Sequence, residues 1–162
     1  MPTPIDPKVM RDQIRSTLQA FDRWNPDVEE LVLGTIAHES HLGQYRRQIG
    51  GGPALGIAQM EPATLHDCWD NFLEYHQDLV ALITTITGVS GADEDALENN
   101  DPYAIIMCRV KYLRSRLAIP PASDVEAQAE YWFHIYNGSG VVAKVAEYVA
   151  DYRRLVLEDV SV

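Results

Sequence analysis

Residues 25–43 read NPDVEELVLGTIAHESHLG, and the way this stretch folds decides the rest of the chain. Asn25-Pro26 is a helix-start pair. The asparagine side chain can accept a hydrogen bond from an unpaired first-turn N–H, and proline fits the first helical position, where its missing donor is not needed. Val28, Leu31, Val32, Thr35 and Ile36 then recur at three- and four-residue spacing, the period of an amphipathic helix, and Gly43 offers a stop. At about 100° per residue, Glu39 falls within about 20° of both Val28 and Val32. A carboxylate therefore closes the apolar face of this helix. Loss of water penalises the ionised form, so its pKa should rise, and a carboxylic acid that keeps its proton near neutral pH is what general-acid catalysis needs. Periodicity alone leaves the alternative open: the helix frays before Glu39, and the side chain turns into water.

Upstream, Asp6-Pro7 repeats the start signal, and Met10, Ile14, Leu18 and Phe21 mark one helical face. Downstream, Gly50-Gly51-Gly52-Pro53, with Gly56 close behind, cannot be the interior of a helix or strand. Thr64-Leu65-His66-Asp67 resembles a capping box opening a helix that carries Trp69, Phe72 and Leu73. Residues 78–87 read as a further apolar helix and 91–100 as an acidic, solvated loop. Asp101-Pro102 starts another helix, with Tyr103, Ile106, Val110, Leu113 and Leu117 at helical spacing, and Pro120-Pro121 breaks it. Ser123-Asp124-Val125-Glu126 is a second capping box, whose helix should run to Tyr136 before Asn137-Gly138. A last helix covers about Val141 to Leu157. No segment alternates with period two and no repeat is visible. The expected architecture is an all-α single domain over residues 1–162: seven or so short helices, with at most a small irregular hairpin near residues 45–58.

Composition is compatible with this reading. A chain of 162 residues, 46% hydrophobic and 23% charged, belongs with folded globular proteins and can build a core without disulfides or metals. Its 13 Lys and Arg stand against 24 Asp and Glu, a net charge of -11, with no basic cluster interleaved with aromatics; nucleic acid is a poor partner for such a surface. Cys68 and Cys108 sit inside helical patterns and read as small buried hydrophobes. The first ten residues contain three prolines and no apolar run, so no secretory signal is expected, and the longest apolar stretch, 79–86, is too short for a membrane span.

Three segments taken in order add a more specific signal. Glu39-Ser40 ends a helix; Gly56-Ile57-Ala58-Gln59-Met60-Glu61-Pro62-Ala63-Thr64 follows the glycine loop; Tyr136-Asn137-Gly138-Ser139-Gly140 ends a later helix. Together they resemble the lytic transglycosylase domain of the soluble type and its lysozyme-like relatives. That family shows a Glu-Ser pair, a Gly-Leu-Met-Gln-like segment followed by Pro-x-Thr, and Ala-Tyr-Asn-x-Gly. Asp101 to Leu117, with Lys111-Tyr112-Leu113-Arg114, is similar to the family's helix before the third motif. The likeness covers about residues 28–150. It departs from the pattern at Ile57-Ala58, where the family has Leu-Met, at Ile135, usually alanine, and at Glu61, commonly a hydrophobe. The glycine-rich lead-in and Gln59-Met60-Glu61-Pro62 look most like bacteriophage-borne versions.

The resemblance implies a lysozyme-like helical fold and cleavage of bacterial peptidoglycan between N-acetylmuramic acid and N-acetylglucosamine. Glu39 would be the one catalytic acid and then the base that lets the muramyl 6-hydroxyl close a 1,6-anhydro ring. Gln59 would hydrogen-bond sugar substituents, and the Tyr136 hydroxyl would reach the catalytic carboxylate. Ser40, Gly56 and Asn137 complete the implied substrate-binding set. The residues themselves allow plainer roles for these three. Ser40 would tie down a helix end, Gly56 would turn the chain or let backbone approach the sugar, and Asn137 with Gly138 would make the turn that positions Tyr136. A hydrolytic muramidase needs a second carboxylate about 5–9.5 Å away, for which Glu61 and Asp67 are candidates. No cofactor or metal is expected: His38 and His41 are three apart, not four as in the zinc-protease helix, and no third ligand is evident. The expected partners are peptidoglycan strands and other phage virion proteins. The expected setting is a virion, or the host cytoplasm before release to the periplasm, with a lysis enzyme or a non-catalytic structural virion part as the alternatives.

Overall fold

The computed structural model describes residues 2–157, and their regular structure is entirely helical. Eight α-helices follow one another: α1 Pro7–Ala20, α2 Pro26–Ser40, α3 Pro62–Asn71, α4 Gln77–Thr87, α5 Glu94–Asn99, α6 Asp101–Leu113, α7 Val125–Trp132 and α8 Ala143–Tyr152. A 3-10 turn, Leu73–Tyr75, links α3 to α4, and π-helical turns extend α7 over Phe133–Asn137 and α8 over Arg153–Leu157. No helix among the described residues is long and apolar enough to cross a membrane.

The start signals act as read. The Asp6 side chain accepts from the N–H groups of Lys8 and Val9, and that of Asn25 accepts from Val28, each with proline next in line. α2 is the central helix, packed by α1, α6, α7 and α8. Every residue from Val28 to Ala37 is buried, because helices cover it on several sides. Gly34 permits this closeness: a β-carbon there would stand 2.2 Å from the hydroxyl of buried Tyr148 on α8. Two carboxylates also lie in this helix's first turns. Glu29 is held by Arg15 at 2.7 Å and by the Trp24 indole at 2.8 Å, while Glu30 meets Arg11 and the Tyr152 hydroxyl. Buried charge is tolerated here because each carboxylate is paired and hydrogen-bonded.

Several expectations need correction. Residues 91–100 are not a loop throughout: α5 lies within them. Asp93 caps it by accepting from the Ala96 N–H at 3.0 Å, Glu94 and Asp95 sit favourably at its positive end, and Ala96 and Leu97 are buried. α3 begins at Pro62, so Thr64 lies inside the helix and does not cap it. The cap of α7 is Asp124, which accepts from Ala127, and not Ser123. Leu117 lies beyond the end of α6 and is 65% exposed, so the helical spacing that included it overran the chain's turn. The anticipated hairpin is reduced to isolated bridges, Arg47 with Leu55 and Leu55 with Met60. Cys68 and Cys108 are free thiols with no exposure, as expected of small core residues.

Candidate active site

α2 ends at Ser40 because the next three residues all have positive φ: His41 at 52°, Leu42 at 57° and Gly43 at 80°. The Ser40 hydroxyl fastens that end, donating to the Ile36 carbonyl at 3.2 Å and accepting from the Gly43 N–H at 2.8 Å. The helix therefore persists through Glu39, and its carboxyl stands on the wall of a cleft of about 540 Å³. Glu39 is half-buried and meets solvent at this cleft. Its Oε2 accepts a hydrogen bond from the Trp132 indole N–H at 3.1 Å. Burial pushes its pKa up to about 7; the Trp132 bond and the positive charge of Lys144 oppose this but do not outweigh it. The carboxyl is thus a proton donor near neutral pH, with one N–H to hold its geometry before and after transfer.

Behind Trp132 lies a second layer. The indole is fully buried, meets the His38 ring edge-on at 4.7 Å and lies 5.2 Å from the Tyr148 ring. His38 Nδ1 is 2.8 Å from Asp151 Oδ2; since a carboxylate only accepts, Nδ1 carries the proton. Burial lowers the His38 pKa despite this partner, which keeps the ring neutral at neutral pH. His38 and His41 diverge: the first is packed against α8, and the second lines the cleft beside Tyr45, ring centroids 5.3 Å apart.

Gln59, Tyr136 and Asn137 line the same cleft as Glu39, so the helix end, the glycine-loop segment and the third motif do converge. Gln59 has φ 49°, and its side-chain N–H donates to the Gly56 carbonyl at 3.0 Å; the amide is braced by its own turn. Asn137 accepts from the Ser139 N–H at 3.0 Å and closes the turn after Tyr136, with Gly138 at φ 67°. Tyr136 differs from expectation. Its hydroxyl donates to the Ala58 carbonyl at 2.7 Å, and its ring stacks on Tyr112 at 5.4 Å. It ties the third motif to the second, and the hydrogen bond to the acid comes from Trp132.

Two members of the anticipated substrate-binding set do not belong there. Ser40 has no exposure and serves the helix end. Gly56 is buried, with φ 80°, and a β-carbon on it would stand 2.0 Å from the Leu97 carbonyl. The close backbone approach that requires glycine is to α5 and not to the cleft. Of the candidate second carboxylates, Glu61 lines the cleft, while Asp67 has its pKa held down by hydrogen bonds from Asn71 and from Arg114 at 2.6 Å.

Trp132 and Lys111 were not anticipated as site residues. A tryptophan in an apolar helix reads as core, and this indole is fully buried, with only its N–H reaching the acid. Spacing from Tyr136, one turn on, was the available signal. No known protein family matches the chain, and no curated protein or solved structure matches it.

Proposed function

We propose that this chain cleaves the glycan strands of bacterial peptidoglycan as a lytic transglycosylase with a lysozyme-like helical domain. The observation that carries the reading is the Glu39 carboxyl, its pKa raised by burial to about 7, on the wall of a cleft large enough for sugar rings. The order of the three converging segments supports it, as does the bracing of Gln59, whose amide can both donate to and accept from an acetamido group.

In this mechanism Glu39 gives its proton to the oxygen joining the muramyl residue to the next sugar. The bond from the muramyl anomeric carbon to that oxygen breaks, and the leaving sugar departs as an alcohol. The Glu39 carboxylate then takes the proton of the muramyl 6-hydroxyl, whose oxygen attacks the anomeric carbon and closes the 1,6-anhydro ring. The acid is regenerated and no water is consumed. Trp132 steadies the carboxylate during the interval when it is ionised, as its N–H bond favours the charged form.

Glu61 supports a second reading. It is a carboxylate in the same cleft, and a hydrolase uses such a group to activate water or to trap the sugar. Purified protein incubated with peptidoglycan separates the two. The transglycosylase predicts fragments ending in anhydro-muramyl residues, unaffected in kind by Glu61→Gln. Reducing muramyl ends, lost on Glu61→Gln, would indicate the hydrolase. Glu39→Gln is expected to lower either activity by about 10²–10⁴-fold. Clearing that survives this substitution removes Glu39 from the chemistry. A folded protein that releases nothing from any peptidoglycan leaves a non-catalytic structural role.

A further inference from the structure

Lys111, on α6, has no part in the mechanism above, yet it stands in the cleft wall. It is the one lysine or arginine among the described residues that line the cleft, and its side chain is half-buried with Nζ 5.9 Å from the centroid of the Tyr136 ring. In an acidic chain, basic side chains tend to be claimed: Arg11, Arg15, Arg46, Arg47 and Arg114 each hold a carboxylate. Lys111 makes no ion pair among the described residues. Asp67, whose ionised form Lys111 favours, is taken by Arg114 at 2.6 Å. The other acidic groups of the cleft wall are Glu39, whose pKa is raised to about 7, and Glu61; His41 lines it as well. An ammonium with three donors, resting over an aromatic face and facing the space a substrate occupies, is arranged to receive an anion.

Given the proposed substrate, the anion has a defined place. The muramyl sugar differs from N-acetylglucosamine by a 3-O-lactyl group. That group ends in a carboxylate, or is amide-linked to a stem peptide bearing carboxylates. We propose that Lys111 is a carboxylate-binding subsite: it pairs with the acidic 3-O-substituent of the muramyl residue and so distinguishes a muramyl strand from a neutral polymer of N-acetylglucosamine. This inference rests on the glycan-cleaving reading and is tested apart from catalysis.

The test measures binding to the full chain carrying Glu39→Gln, which leaves the ligands intact. Three probes are titrated: the neutral hexamer of N-acetylglucosamine, amidase-stripped peptidoglycan strands with free lactyl carboxylates, and strands retaining stem peptides. Each is compared with the same protein carrying Lys111→Met or Lys111→Arg. The expected result is that Lys111→Met weakens at least one acidic ligand by about three- to tenfold, the range of a partly screened charge pair. The neutral hexamer should be unchanged and Lys111→Arg should restore the preference. The loss should also shrink in about 1 M salt, where the screening length falls to about 3 Å. Loss confined to stripped strands identifies the lactyl carboxylate as the group bound; loss confined to peptide-bearing strands identifies the peptide. Equal weakening of all three probes, or none for either acidic one, overturns the subsite while leaving the glycan-binding cleft in place. No binding of any probe overturns the proposed function and the subsite with it. If Lys111→Met does not fold, Lys111→Gln serves the same comparison.

Discussion

Among single residues, the proposed chemistry depends on opposing influences at Glu39. Burial raises its pKa to about 7, and the Trp132 N–H pulls it down. Trp132→Phe removes the donor while leaving an aromatic ring, though a smaller one, so the Glu39 pKa should rise above about 7. The pH at which activity falls away should move up with it, while the maximal rate drops because the ionised intermediate loses its hydrogen bond. A pH–rate profile of the variant checks both movements. Linkage supplies a second consequence. A group whose folded pKa is raised contributes stability that is fully present below its unfolded value near 4.5 and is lost as pH rises through about 7. Glu39→Gln should therefore raise the melting temperature at pH 8–9 relative to wild type, corresponding to up to about 3 kcal/mol, and change it little near pH 4. Thermal melts at the two pH values read this directly.

At the scale of elements, the site is made by three chain segments and the fastenings between them. Tyr136 bonds Ala58 at 2.7 Å, joining the end of α7's π-helical extension to the loop before α3. Gly56 seats that loop on α5 through a contact no β-carbon could occupy. Gly56→Ala adds a clash with backbone to an unfavourable φ of 80°, and it should destabilise the fold by about 2–4 kcal/mol, measurable by denaturant unfolding. This scale also shows what the sequence makes legible. Capping pairs such as Asp6-Pro7 and Asn25-Pro26 act locally, so they locate helix starts from the residues alone. The apolar stripe from Val28 likewise places Glu39 on a covered face, because Ser40 and the left-handed residues after it hold the helix intact to its end. α5 is hidden by its acidic composition: only the capping of Asp93 and the anchoring of Leu97 against the rest of the protein make those residues helical. Trp132 is hidden by its own burial, which makes it read as core, and the partner of the Tyr136 hydroxyl depends on how two distant segments meet.

At the scale of the whole molecule, α2 is both the spine of the core and the carrier of the acid, so its two ends do different work. The first turns bring Glu29 and Glu30 into the ion-pair cluster with Arg11, Arg15, Trp24 and Tyr152, which joins α1 and α8 to α2. The arginine bonds and the Trp24 N–H hold the Glu29 pKa below its usual value against the effect of burial. A depressed carboxylate pKa contributes stability that is present above the unfolded value near 4.5 and lost as pH falls through the folded value. The fold should therefore weaken in acid, below the unfolded value near 4.5, and Glu29→Gln should lessen this acid sensitivity while lowering stability at neutral pH. Melting temperatures across pH 2–7 for both proteins test this. The far end of α2 has the opposite sign: Glu39 favours the folded state when protonated. Acid thus weakens the start of the helix while favouring the neutral, protonated form of Glu39 at its end, and a paired Glu29 and a protonated Glu39 coexist between about pH 5 and 7.

Glu39 retains its proton where ordinary carboxylates have lost theirs, and a carbon-13 NMR titration of the glutamate side-chain carboxyls, with Glu39 assigned by comparison with Glu39→Gln, reads its pKa. This one resonance should move with a midpoint near pH 7. A midpoint near 4.5, in line with exposed glutamates, would contradict it.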